Sequence, residues 1–149
     1  MVNMSTPLSV QTADAPTPTG HYCQAAAHGD LVFVSGQLPV RPDGGESDRS
    51  FEAQVRQALS NLFTILRAAG SSPEQVLKVT VFLVGIERWP IFNQLFGEIF
   101  GAVRPARSVV PVPHLHDGYL IEIEAIAIRT AERENTTPSK ASMGGQDSP

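Results

Sequence analysis

The stretch Leu120-Ile121-Glu122-Ile123-Glu124-Ala125-Ile126-Ala127-Ile128-Arg129 decides the fold of this chain. It reads as one long strand, and successive side chains of a strand point to opposite faces. Ile121, Ile123, Ala125 and Ala127 therefore share one face, while Glu122, Glu124, Ile126 and Ile128 share the other. Both faces are substantially apolar. Helices of the same chain can bury one of them, and the second must be covered by something else. A symmetric oligomer supplies that cover, so an obligate homo-oligomer is expected.

Working back along the chain, strands and helices alternate. Ser108-Val109-Val110 is a short strand, and Ile91, Phe92, Leu95, Phe96, Ile99 and Phe100 recur at helical spacing, predicting a helix over Trp89 to Phe100 that stops at Gly101. Such an aromatic stripe reads as core, with Trp89 as a packing residue. Val76 to Leu83 is a buried strand, and Ser72-Pro73-Glu74-Gln75 before it starts a single turn. Ser50 offers an N-cap to a helix from Phe51 to Ala69, in which Phe51, Val55, Leu59, Leu62 and Leu66 mark the buried stripe ahead of Gly70. Leu31 to Ser35 and Tyr22 to Ala27 form a hairpin closed at Gly29-Asp30. The order of elements gives an α+β fold with two helices on one sheet face.

The ends read differently. Residues 1–18 are rich in Thr, Pro and Ala, and Pro7, Pro16 and Pro18 oppose regular structure, so a flexible, extended N-terminal arm is expected. Residues 131–149 contain almost nothing apolar and cannot offset the entropy of ordering, which predicts a disordered C-terminal tail beyond a domain spanning residues 19–130.

Composition narrows the function classes. The chain has 149 residues, a net charge of −4 and no cluster of Lys or Arg, which disfavours nucleic acid as a partner. One cysteine, Cys23, cannot make an internal disulfide, and no secretory leader or membrane-length apolar run is apparent, so a cytoplasmic location away from the bilayer is expected. Cys23 reads as a small strand residue rather than a nucleophile. His114 and His116, in a Pro-rich loop, read as exposed histidines rather than metal ligands, and no metal site is assigned. The glycines lack the spacing of a phosphate loop.

Arg107, in Arg104-Pro105-Ala106-Arg107-Ser108, and Glu122 are the candidate chemistry. A guanidinium presents a planar fork suited to a carboxylate, and a carboxylate on a neighbouring strand can handle protons or water. Taken alone, the two residues would more readily pair with each other or reach solvent. Glu124 shares the face of Glu122 and competes with it.

Seven segments taken in order resemble the RidA (YjgF/YER057c/UK114) family of reactive-intermediate deaminases. They are Thr19 to Ala25, Val34 to Pro39, Glu52 to Gln57, Ala68 to Ser72, Lys78 to Leu83, Pro105 to Ser108 and Ile121 to Ala127. The resemblance implies a chorismate-mutase-like fold and a homotrimer with ligand sites in clefts between subunits. It implies hydrolysis of enamine and imine acids such as 2-aminoacrylate and 2-aminocrotonate to 2-keto acids and ammonia, with no metal or organic cofactor. Arg107 would grip the substrate carboxylate and Glu122 would activate water and manage the leaving amine. Tyr22, Ser35, Gly36, Asn93 and the backbone of Val109 would line the ligand. Two departures bear on specificity: His21 stands where the family usually has proline, and Val109 where many relatives carry cysteine or threonine. A keto-acid-binding sensor, a specialised imine hydrolase of a biosynthetic route and a ribonuclease or translation inhibitor are the alternative functions; the acidic charge opposes the last.

Overall fold

A computed structural model of the chain describes residues 5–45 and 47–130. The first helix, α1, spans Phe51–Ala68, and the Ser50 hydroxyl caps it by accepting the Ala53 amide at 3.3 Å. It ends where Gly70 turns to φ 81°, with the Gly70 amide donating to the Arg67 carbonyl and the Ser71 amide to that of Leu66. This left-handed closure is open to glycine at little steric cost. The second helix, α2, spans Trp89–Phe100, with Pro90 in its first turn and Gly101 at φ 62° past its end.

Six strands complete the domain: β1 (Leu8–Val10), β2 (Ala25–His28), β3 (Leu31–Gln37), β4 (Val76–Val84), β5 (Ala106–Val112) and β6 (Ile121–Ile128). They form one sheet in the order β1-β2-β3-β6-β4-β5. Only β4 and β5 are parallel, joined across α2 as a parallel pair requires, and the other neighbours are antiparallel. The β2–β3 hairpin turns at Gly29-Asp30 as read, with Gly29 at φ 57°.

Both helices pack on one face of this sheet. Val55, Leu59, Leu62 and Leu66 of α1 and Phe92 and Phe96 of α2 meet Val32, Val34, Val79, Val81, Ile121, Ile123, Ala125 and Ala127 in one core. At the far end of α2, Phe100 stacks on Phe96 at 4.3 Å and meets the edge of Phe63 at 5.3 Å. Among the described residues the opposite face has no cover: Phe33 is 47% exposed, Ile128 41% and Val110 38%. An apolar face of this kind is what the alternation of β6 predicts.

Two expectations need correction. The N-terminal segment is not simply an arm, because Leu8–Val10 pairs with Ala25–Ala27 as an edge strand. Gln24, almost fully buried, fastens the residues that follow: Thr12 donates its amide to Gln24 Oε1 at 2.7 Å, and Gln24 Nε2 donates to the carbonyls of Thr12 and Pro16 at 3.0 Å each. Prolines forbid a central strand but tolerate a short edge strand beside them. Secondly, β5 and β6 are not neighbours, since β4 lies between them. The tail expected over 131–149 lies outside the described residues. Among the described residues, no helix is long and apolar enough to cross a membrane.

Candidate functional site

Strand β3 breaks register between Val34 and Gln37, and this irregularity shapes the site. A bulge bends the strand and re-aims its side chains. Ser35 and Gly36 fall inside it and form one wall of a cleft of about 590 Å³, to which Tyr22, Gln37, Leu38, Glu122, His116, Asp117 and the Pro16–Gly20 segment also contribute. Ser35 is fixed by donating its hydroxyl to the Cys23 carbonyl at 2.7 Å. Tyr22, half exposed, accepts the Thr19 amide at its phenol oxygen at 3.4 Å. Gly36 has to be small: a Cβ there would come within 2.3 Å of Glu122 Oε1.

Glu122 lies on the face of β6 away from the helices, opposite Phe82 of β4. Burial pushes its carboxyl above the usual carboxylate range; His116 pulls it back and Glu124 pushes it up again. A carboxylate so placed accepts a proton more readily than a solvated one, which suits a base that later returns the proton. Glu124 is exposed and does not line the cleft, so the geometry separates two residues that the alternation alone left equivalent.

Arg107 occupies the other side of the sheet. Paired with Val79, it faces α2, where its Nη2 donates to Asn93 Oδ1 at 2.9 Å. Its guanidinium lies 4.7 Å from the ring centre of Phe96, 5.3 Å from Phe92 and 6.0 Å from Trp89. Burial pulls its pKa down, yet an arginine stays charged at any working pH. No described carboxylate forms an ion pair with it. The aromatic stripe of α2 therefore serves both the core and this cation. Val109, two residues along β5, shares the inner face and packs against the core.

The residues singled out from sequence thus fall into two groups. Tyr22, Ser35, Gly36 and Glu122 share the cleft, while Arg107 and Asn93 pair elsewhere, with Val109 on the same strand. One chain does not bring the two groups together: β4 separates β5 from β6, and Arg107 and Glu122 face opposite sides. The expectation of adjacent strands is corrected by the insertion of β6 between β3 and β4, a long-range pairing that local patterns do not carry.

The sequence reading also passed over His116 and Asp117, both in the cleft lining, because two histidines in a Pro-rich loop looked bland. The remaining signal was the Asp-Gly step, which favours a left-handed turn; Asp117 adopts φ 56°. His21 is exposed and outside the lining. Among the described residues, no three His, Cys, Asp or Glu side chains gather as metal ligands would.

Comparison with known proteins agrees with this fold. The Endoribonuclease L-PSP family model matches residues 12–129. A RutC family protein of Pyrococcus horikoshii is 43% identical over 119 residues, covering 79% of this chain and 94% of its own. The 2-iminobutanoate/2-iminopropanoate deaminase of Escherichia coli is 38% identical over 124 residues, covering 81% of this chain and 97% of its own. The crystal structure of Escherichia coli TdcF with bound serine matches with a TM-score of 0.79 at 36% identity, over 83% of this chain and 99% of that one. The chain belongs to the Endoribonuclease L-PSP family, the family also known as YjgF/RidA.

Proposed function

We propose that this protein hydrolyses reactive enamine and imine acids of the 2-aminoacrylate and 2-aminocrotonate type to 2-keto acids and ammonia, as a homotrimer whose sites lie between subunits. The observation that carries the reading is Arg107, a half-buried cation with one neutral acceptor and no described carboxylate partner. A cation held that way favours a small anion, and the Phe96 ring 4.7 Å from the guanidinium restricts where its fork can sit. Names among the relatives, a 2-iminobutanoate/2-iminopropanoate deaminase and a TdcF structure with bound serine, point to the same size and class of ligand.

In this reading the apolar face around Phe33, Val110 and Ile128 packs against neighbouring subunits. The cleft holding Glu122 then meets the Arg107 of an adjacent copy. Arg107 orients the substrate carboxylate, with Asn93 steadying the guanidinium and the Val109 backbone beside it. The imine carbon is already electrophilic, so the protein needs only to place one water and take its proton. Glu122 accepts that proton as the C–O bond forms. Starting from the protonated imine, it returns the proton to the carbinolamine nitrogen. It then takes the remaining hydroxyl proton as the carbonyl forms, the C–N bond breaks and ammonia leaves, and releases that proton to solvent. Tyr22, Ser35 and Gly36 shape the cavity around the reacting carbon.

The test is the release of keto acid and ammonia from 2-aminoacrylate or 2-aminocrotonate generated in situ, measured against spontaneous hydrolysis. Acceleration by the intact protein that vanishes in Arg107→Ala supports the reading. A folded protein that binds the keto acid yet adds nothing to the background rate would instead be a sensor.

A further inference from the structure

His116 stands in the turn His116–Gly118, and several contacts hold that turn in place. Arg49 donates from Nη1 to the Asp117 carbonyl at 2.9 Å, and its guanidinium lies 4.5 Å above the ring of the buried Tyr119. The Tyr119 amide donates to the His116 carbonyl at 3.1 Å. One residue further, the Leu120 amide donates to Gln54 Oε1 of α1 at 2.8 Å. Asp117 is the only non-glycine residue with positive φ among the described residues. Backbone in that region persists where its surroundings over-determine it, and it clusters at working sites. The exposed histidine of this turn is therefore presented by a fixed support, and it lines the cleft of Glu122.

We propose that His116 is a positioning residue of the water-activating step, an imidazole held in the wall of the Glu122 cleft and acting through that carboxylate. The inference rests on the hydrolytic reading above. The groups around Glu122 leave few other candidates. Its own strand brings Glu124, a second negative charge, and the loop before β2 brings Tyr22. The bulge of β3 brings Ser35 and Gly36, and β4 brings Phe82; none of these three is charged. Asp117 adds another carboxylate, while Arg49 is engaged with the Asp117 backbone and Tyr119. Among the described residues, His116 is the one cleft-lining side chain able to carry a positive charge. Its charge opposes the burial and the Glu124 repulsion that would hold Glu122 protonated. When protonated it keeps the base available. The proton taken from water stays on Glu122 and passes to the departing nitrogen, so His116 gains and loses nothing over the cycle.

Two measurements on the full chain test the pair. The first follows the His116 imidazole by NMR titration in the wild type and in Glu122→Gln, with Glu124→Gln as a second variant and His116→Gln to identify the resonance. The His116 midpoint should fall when Glu122 loses its charge; a midpoint that does not move overturns the proposal. The second compares pH profiles of kcat/KM. In His116→Gln the acid limb should move to higher pH, with the rate below it falling about tenfold for each pH unit of displacement. A uniform loss at every pH would mean a merely structural role. Should the wild type hydrolyse no imine, the hydrolytic reading fails, and the titration still decides whether the two groups are coupled.

Discussion

Two inactive variants should make an active protein. The register places Arg107 beside Val79 and Glu122 beside Phe82, with Val79 also paired to Ala125. Arg107 and Glu122 are therefore two strand spacings apart laterally and three residues apart along the sheet, about 14 Å between Cα atoms, with side chains on opposite faces. A short imino acid spans far less. If the proposed site joins Arg107 of one subunit to Glu122 of the next, Arg107→Ala and Glu122→Gln damage different halves of each interface. In trimers refolded from an equal mixture, a site is intact when its arginine comes from the Glu122→Gln subunit and its glutamate from the other. Random assembly leaves about a quarter of the sites whole, so activity should return to about a quarter of the wild-type value. The assay is keto acid release by the refolded mixture, beside each parent treated identically. A mixture no more active than the average of its parents would refute the shared site, provided that mixed trimers have formed.

Other outcomes follow from contacts already described. Gly36→Ala drives a methyl into Glu122 Oε1 and should lower kcat by roughly 100-fold, the scale of a misplaced group, while shifting thermal stability little; equal losses in both would contradict the steric account. Glu122→Gln removes a carboxyl whose pKa is raised in the folded state, chiefly by burial. Such a group binds more protons folded than unfolded, so wild-type stability declines as pH rises through the interval between its unfolded and folded pKa values. The variant should lose that slope, gaining on the wild type above the interval and matching it below, as denaturant titrations at several pH values would show. Gln24→Ala unties Thr12 and Pro16 and should cost about 1–3 kcal/mol by chemical denaturation, with faster amide exchange over residues 8–20.

Much of the fold was legible because its signals are local. The period of Val55, Leu59, Leu62 and Leu66 and the capping by Ser50 and Gly70 placed α1 almost to the residue. The alternation in β6 announced both a covered and an uncovered face. What escaped was non-local or weakly encoded. Three residues, Leu8–Val10, become a strand only because β2 offers an edge, and no pattern inside them says so. The place of β6 between β3 and β4 depends on pairings across most of the chain. For the site, Tyr22, Ser35 and Gly36 came from resemblance, Glu122 from its strand with the resemblance preferring it to Glu124, and the four meet in one cleft. Arg107 and Asn93 meet each other, and the gap between the two groups was invisible because it is set by strand order. His116 was passed over because only the fold brings it into the lining of the Glu122 cleft.

The chain contains a single tryptophan, Trp89, and that ring lies 6.0 Å from the Arg107 guanidinium and is 39% exposed. Indole emission responds to charge and solvent in its immediate surroundings, and here one of the charges beside the ring belongs to the residue proposed to take up the ligand. Every photon of tryptophan fluorescence from this protein therefore originates beside the proposed anion-binding residue. Occupancy at Arg107 can be read without a label, without turnover and in every variant that keeps Trp89, which makes a silent binder and a working hydrolase distinguishable in one cuvette.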